Sequence, residues 1–184
     1  MSKLTPPVNE HDHLRGALSA PVKLCEFGDY QCPFCGEAYP VVKMLEETLG
    51  ERLCVAFRNF PIVGSHPHAL LAAQAAEAAG AQGKFWEMHD LLYENQDALE
   101  VEDLVRYADV LGLDVDQFVE DVRTQRFLGK IRADLKSGAL SGVNGTPTFF
   151  VNGRRHDGAG DFETLYAVIL AEMGEEEAAP PPEL

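Results

Sequence analysis

The chain has 184 residues, thirty acidic against fifteen basic side chains for a net charge of -15, and 46% hydrophobic residues. That length and balance fit one soluble globular domain with a buried core and exclude collagen-like, low-complexity and membrane-embedded classes. The acidic excess repels polyanions, so neither nucleic acid nor an anionic membrane is an expected partner.

Residues 1–15 are polar and proline-containing and are expected to form an extended N-terminal arm. They hold no basic cluster followed by an apolar block, so no secretory signal is read, and the cytoplasm is the expected location. No stretch approaches the ~18 apolar residues of a spanning helix. Val22 to Phe27 reads as a short buried strand ended by Gly28-Asp29. A helix follows, with Pro33 just inside its start, Ala38, Val42, Leu45 and Leu49 at spacings of four, three and four, and Gly50 closing it. Pro40 falls inside this helix and is expected to kink it. Leu53 to Phe60 is a second strand stopped by Pro61. The strand–helix–strand order implies two parallel strands joined by a crossover.

From about 66 to 138 the pattern is helical. Seven of the eleven residues from Ala69 to Ala79 are alanine, which lets that helix approach its neighbours closely. Phe85, Met88, His89 and Leu92 mark a second apolar face, and Val101, Leu104, Ala108 and Leu111 a third. Asp114 with Gln117 resembles a capping box ahead of Val115, Phe118, Val119 and Val122, and Phe127, Ile131 and Leu135 mark a fifth helix. Thr148 to Val151 is strand-like, Asn152-Gly153 signals a hairpin into Arg154 to His156, and a last helix runs from about Phe162 to Met173. The residues 175–184 are acidic and proline-rich and are expected to be disordered.

The chemistry concentrates in four cysteines, Cys25, Cys32, Cys35 and Cys54. Cys32-Pro33-Phe34-Cys35 alone has a tight spacing, and a lone CxxC leaves redox, metal-binding and inert readings open. Its setting favours redox work. Cys32 follows a strand and opens a helix, where free backbone N–H groups and the helix dipole stabilise a thiolate. A thiol so placed can fall from a pKa of ~8.5 into the ~3.5–7.5 range. Cys35, one turn later, can resolve the mixed disulfide that Cys32 forms.

Phe27 to Cys35 resembles the active-site segment of the DsbA-like branch of the thioredoxin superfamily, and Gly145 to Gly153 resembles its substrate-loop segment. The resemblance covers about residues 20–173. It implies an α/β thioredoxin fold with a helical domain inserted between the second and third core strands, and the 111 residues between Cys35 and Pro147 leave room for it. The expected division is a core of residues 16–62 and 142–174, an insertion of 63–141, and the arm and tail outside them. The implied activity is thiol–disulfide oxidoreduction on protein or peptide cysteines, with Cys32 as nucleophile and Cys35 as resolving thiol. Glu26, six residues before Cys32, is implied as a buried acid whose raised pKa suits it to relay a proton to Cys35. Pro147 corresponds to the family's cis-proline, and Thr146 before it offers its backbone to an extended substrate. Pro33 and Phe34 join these two as the substrate contact, and the same dipeptide tunes the potential. Histidine stands at the position of Phe34 in strongly oxidising relatives, so the direction of electron flow stays open, and a cytoplasmic location would favour a reductase.

No external cofactor beyond a partner dithiol is expected, and no metal: His11-Asp12-His13 and His66-Pro67-His68 each offer two imidazoles without a convergent third ligand. Cys25 and Cys54 are expected to pack as small hydrophobes, with a second redox pair or a cross-strand disulfide as alternatives. Other readings of the fold are a glutathione-dependent isomerase or transferase, and a chaperone-like or metal-carrying module. The oligomeric state is not read from the sequence, with a monomer favoured.

Overall fold

The computed structural model describes residues 2–174; the acidic segment expected to be disordered lies outside the described residues. The core is a five-stranded mixed sheet in the order β1-β3-β2-β4-β5. The strands are β1 (His13–Arg15), β2 (Val22–Gly28), β3 (Leu53–Asn59), β4 (Thr148–Val151) and β5 (Arg154–Arg155). Helix α1 (Pro33–Leu49) makes the crossover between the parallel pair β2 and β3. Five helices then intervene before β4: α2 (Ala69–Ala81), α3 (Phe85–Glu94), α4 (Val101–Val110), α5 (Val115–Arg123) and α6 (Leu128–Leu140). Helix α7 (Phe162–Glu172) follows β5.

Alternation along β2 assigns the two sheet faces. Val22 and Leu24 pack with Val55, Phe149, Leu45 of α1 and Leu165 and Ile169 of α7. Cys25 and Phe27 point to the opposite face, with Ala56, Phe150 and Leu4. Glu26 therefore falls in the apolar row beneath α1, a position set by the period of two alone. The insertion closes over a third cluster, in which the alanines of α2 meet Met88, Leu92, Leu104, Phe118 and Ile131. Ala72, Ala75, Ala76 and Ala78 have no exposed surface, as a helix made narrow by alanine and enclosed by neighbours requires.

The arm, expected to be extended, lies against the sheet. His13–Arg15 is a strand, antiparallel to β3 in the register Leu14 to Ala56. At the other edge of the sheet Leu4 N donates to Gly153 O at 2.9 Å and Arg155 N to Ser2 O at 3.1 Å. The arm thus crosses the face carrying Cys25 and Phe27, and Leu4 is buried there. Three residues carry too little periodicity to announce a strand, and β1 exists because β3 offers it an edge. The Asn152-Gly153 turn takes φ values of +46° and +78°, the left-handed pair that a two-residue hairpin uses. Asp114 caps α5 by accepting from Gln117 N at 3.0 Å, but the Gln117 side chain turns away to Asp121, so the capping box is half formed.

Candidate active site

The site begins where β2 ends. A Cβ on Gly28 would strike the Phe57 ring and the Tyr93 hydroxyl, so glycine alone allows the chain to leave the sheet beneath those side chains. Asp29 then makes an Asx turn. Its buried carboxylate accepts from Gln31 N and Ile62 N, both at 2.8 Å, and stands 2.8 Å from His66 Nδ1. Cys32 is the N-cap of α1, extended at φ -72° and ψ 121°, and no side chain caps the helix. The first-turn N–H groups of Phe34 and Cys35 therefore face its sulfur.

The two thiols are driven apart in acidity. Cys32 is lowered to about 5, first by the hydrogen bond from Cys35, then by Thr146 and the backbone N–H groups of Cys35 and Phe34, against a burial effect that raises it. Cys35, with no exposed surface, is pushed far up by burial, by its bond to Cys32 and by the charge of Glu26. One sulfur is a thiolate at neutral pH and the other holds its proton. Glu26 is 3% exposed and is raised to about 8, by burial first, then by the charges of Cys32 and Glu46. Its Oε1 has no hydrogen-bond partner.

The remote loop completes the site. The Thr146–Pro147 peptide bond is cis, and Cys32 Sγ, when protonated, donates to the Thr146 carbonyl at 3.4 Å. Thr146 and Pro147 also line an open groove of about 670 Å³ with Phe34, Ala38, Val41 and Phe149, walled by the loop from Arg155 to Asp161. Phe34 is 67% exposed at its mouth. Pro33 is exposed at the first position of α1 and does not line the groove.

Two further residues hold the site in place: Gln96, which no sequence pattern marks, and His89, which the sequence places only on the apolar face of α3. Gln96, from the loop after α3, donates Nε2 to the carbonyls of Tyr30 and Cys32, both at 2.9 Å. His89 Nδ1 meets the Tyr30 hydroxyl at 3.1 Å. The Asx turn at Asp29 had a local signal in its sequence; Gln96 had none, because its targets are backbone atoms far away along the chain. The histidine pairs are dispersed. His66 bonds Asp29, while His13 lies 2.9 Å from Glu77 and stacks on Phe85. Among the described residues no three His, Cys, Asp or Glu side chains converge on a metal position. Cys25 and Cys54 are buried free thiols on one sheet face, paired in register with Ala56 and Lys23 respectively.

Residues 8–171 match a protein-family model described as Thioredoxin. Among solved structures, oxidised BdbD from Bacillus subtilis superposes with a TM-score of 0.83 at 22% identity, covering 94% of this chain and 98% of that one. A thioredoxin-like oxidoreductase from Silicibacter pomeroyi gives 0.80 at 26% identity, over 91% and 95%. The alpha-DsbA1 of Wolbachia pipientis gives 0.79 at 20%, over 95% and 96%. Among curated proteins, the Na(+)/H(+) antiporter NhaA 3 of Salinispora tropica is 46% identical over 170 residues, 91% of this chain but 26% of the antiporter. The chain spans about a quarter of the length of the curated relatives it matches, and none of its described helices is long and apolar enough to cross a membrane.

Proposed function

The chain belongs to the thioredoxin family and has the fold of its DsbA-like branch, and on that premise we propose that it exchanges disulfides with protein or peptide thiols through Cys32 and Cys35. The observation that carries this reading is a pair of cysteines one helical turn apart at the start of α1, with Cys32 Sγ 3.4 Å from the carbonyl of Thr146, which lines the groove beside them. In the oxidised protein a substrate thiolate attacks Cys32 Sγ, the less buried of the two sulfurs. The intramolecular S–S bond breaks, and Cys35 leaves as a thiolate that takes the proton of Glu26. A second substrate thiolate then attacks the substrate sulfur of the mixed disulfide and releases Cys32 as a thiolate. Two electrons have moved from the substrate dithiol to the protein pair. Run backwards, the cycle reduces a substrate disulfide, with Glu26 accepting the Cys35 proton.

The same residues support a direction. A lowered Cys32 pKa stabilises the reduced state, and each unit is worth about 1.4 kcal/mol, or about 30 mV. That shift favours oxidation of substrate dithiols, in spite of the apolar Phe34 between the sulfurs. Phe34 and Val41 offer an extended peptide apolar contact while the Thr146 backbone pairs with it. Antiport is not part of the reading, since the chain matches only 26% of the antiporter. The test is oxidation of a small dithiol peptide, alongside insulin reduction with dithiothreitol, for the wild type and Cys32→Ser. Loss of both activities in the variant supports the reading, and a wild type inactive in both assays defeats it. A redox titration against glutathione decides the direction.

A further inference from the structure

We infer that Glu46 is the outer station of a proton path joining Glu26 to solvent on the side of α1 away from the groove, with one water molecule between the two carboxyl groups. The inference rests on the exchange reading above and concerns where its proton goes. Each turnover places a proton on Glu26 or removes one, yet Glu26 and Cys35 are buried and the mixed disulfide places substrate over the groove. A second exit is needed.

A small internal cavity of about 10 Å³ supplies it, close to the room one water requires. Glu26 from β2 and Glu46 from α1 both line it, and each has one buried carboxylate oxygen, Oε1, without a hydrogen-bond partner. A water there would donate to both, satisfying two acceptors that are costly to leave bare. The other Glu46 oxygen lies 3.2 Å from Arg15 Nη1, and the side chain is 17% exposed, so it reaches solvent.

The remaining groups around Glu26 suit the task poorly. Cys32 and Cys35 face it from the start of α1 and are the reacting sulfurs. Arg15 of β1 and Lys43 of α1 are cations tied to Asp90 of α3 at 3.0 Å each. Tyr39 holds its proton too firmly, raised by burial. Tyr30 and Tyr93 are buried phenols, and His89 is kept neutral by burial with Nδ1 occupied by Tyr30. Glu46 touches neither sulfur and acts through Glu26.

The test uses the reduced full-length protein and a chromogenic aryl disulfide, whose first thiolate released reports attack by Cys32 and whose second reports attack by Cys35. In Glu46→Gln the first phase is expected to be unchanged. The second is expected to slow roughly tenfold below pH 8, where Glu26 starts protonated and must pass its proton out through Glu46 before it can take that of Cys35. Imidazole or formate buffer should restore the rate, and Glu46→Asp should keep most of it. A second-phase profile that merely shifts to lower pH with its plateau intact would show only the loss of a neighbouring charge and overturn the inference. So would a slowing that buffer does not restore. Absence of the first phase in the wild type would defeat the exchange reading instead.

Discussion

Glu26 and Cys32 carry opposite debts to folding, and both can be read from pH. Glu26 has a folded pKa of about 8 against ~4.3 unfolded, so the folded chain holds a proton that the unfolded chain releases across that window. Its contribution weakens as pH rises from ~4.3 to 8. Glu26→Gln removes this slope and is expected to stabilise the protein at pH 8 on the order of 3 kcal/mol, with little gain near pH 4.5. Urea unfolding at both values checks it. Cys32 runs the other way: its folded pKa of about 5 lies below ~8.5 unfolded, so its contribution is full above ~8.5 and is lost as pH falls to 5. Iodoacetamide should accordingly label Cys32 of the reduced protein with a midpoint near pH 5, read by peptide mass mapping. Cys35 and Cys25, both without exposed surface, should stay unlabelled until the chain unfolds.

At the scale of elements, the active-site turn depends on a latch from the insertion. Gln96 holds two carbonyls of the Tyr30–Cys32 segment, and a Cβ on Gly36 would collide with the Gln96 amide. Gln96→Ala should cost about 1–2 kcal/mol by taking its donor from the Tyr30 carbonyl, the Cys32 carbonyl keeping the N–H groups of Cys35 and Gly36, and should slow exchange by letting the turn move. Gly36→Ala should displace the same side chain, so the double variant should cost little more than either single one, and a double-mutant cycle by urea unfolding measures that coupling. The bounds of α1 were legible because their signals are local: Cys32 and Pro33 at its start and Gly50 at its end. The apolar row that holds Glu26 was legible from the alternation of β2. The latch was not, because a glutamine in a loop has no periodicity and its partners are main-chain atoms of another element. β1 escaped for a related reason, its three residues becoming a strand only through the edge of β3.

At the scale of the whole molecule, one buried cation ties the arm, the sheet and the insertion together. Arg58 of β3 is 2% exposed, and its five donors are all used. Nε and Nη2 grip Asp12 of the arm at 2.7 and 2.9 Å, Nη1 reaches Pro6 O at 2.9 Å and Ser137 Oγ of α6 at 2.8 Å, and Nη2 also reaches Pro7 O at 3.2 Å. Beside it Asn59 Nδ2 donates to Glu77 of α2 at 2.7 Å, and Lys130 Nζ pairs with Asp134 of α6 at 2.7 Å. The fork shape matters more than the charge here. Arg58→Lys keeps the cation but offers three donors in place of five, so at least two acceptors lose their partner. Asp12→Ala leaves the guanidinium buried without its counter-ion and should cost about 3–5 kcal/mol. Joint replacement, Arg58→Met with Asp12→Leu, removes both charges and should recover most of that loss, since a matched apolar pair needs no desolvated ion. Urea unfolding of the four proteins orders them as wild type, double variant, Arg58→Lys, Asp12→Ala. The midpoint of Cys32 alkylation should stay near pH 5 in every variant that folds, because none of these groups is among those that set it. A midpoint that moves with Asp12→Ala would mean that the arm reaches the thiolate through the sheet, and the network would then belong to the chemistry as well as to the fold.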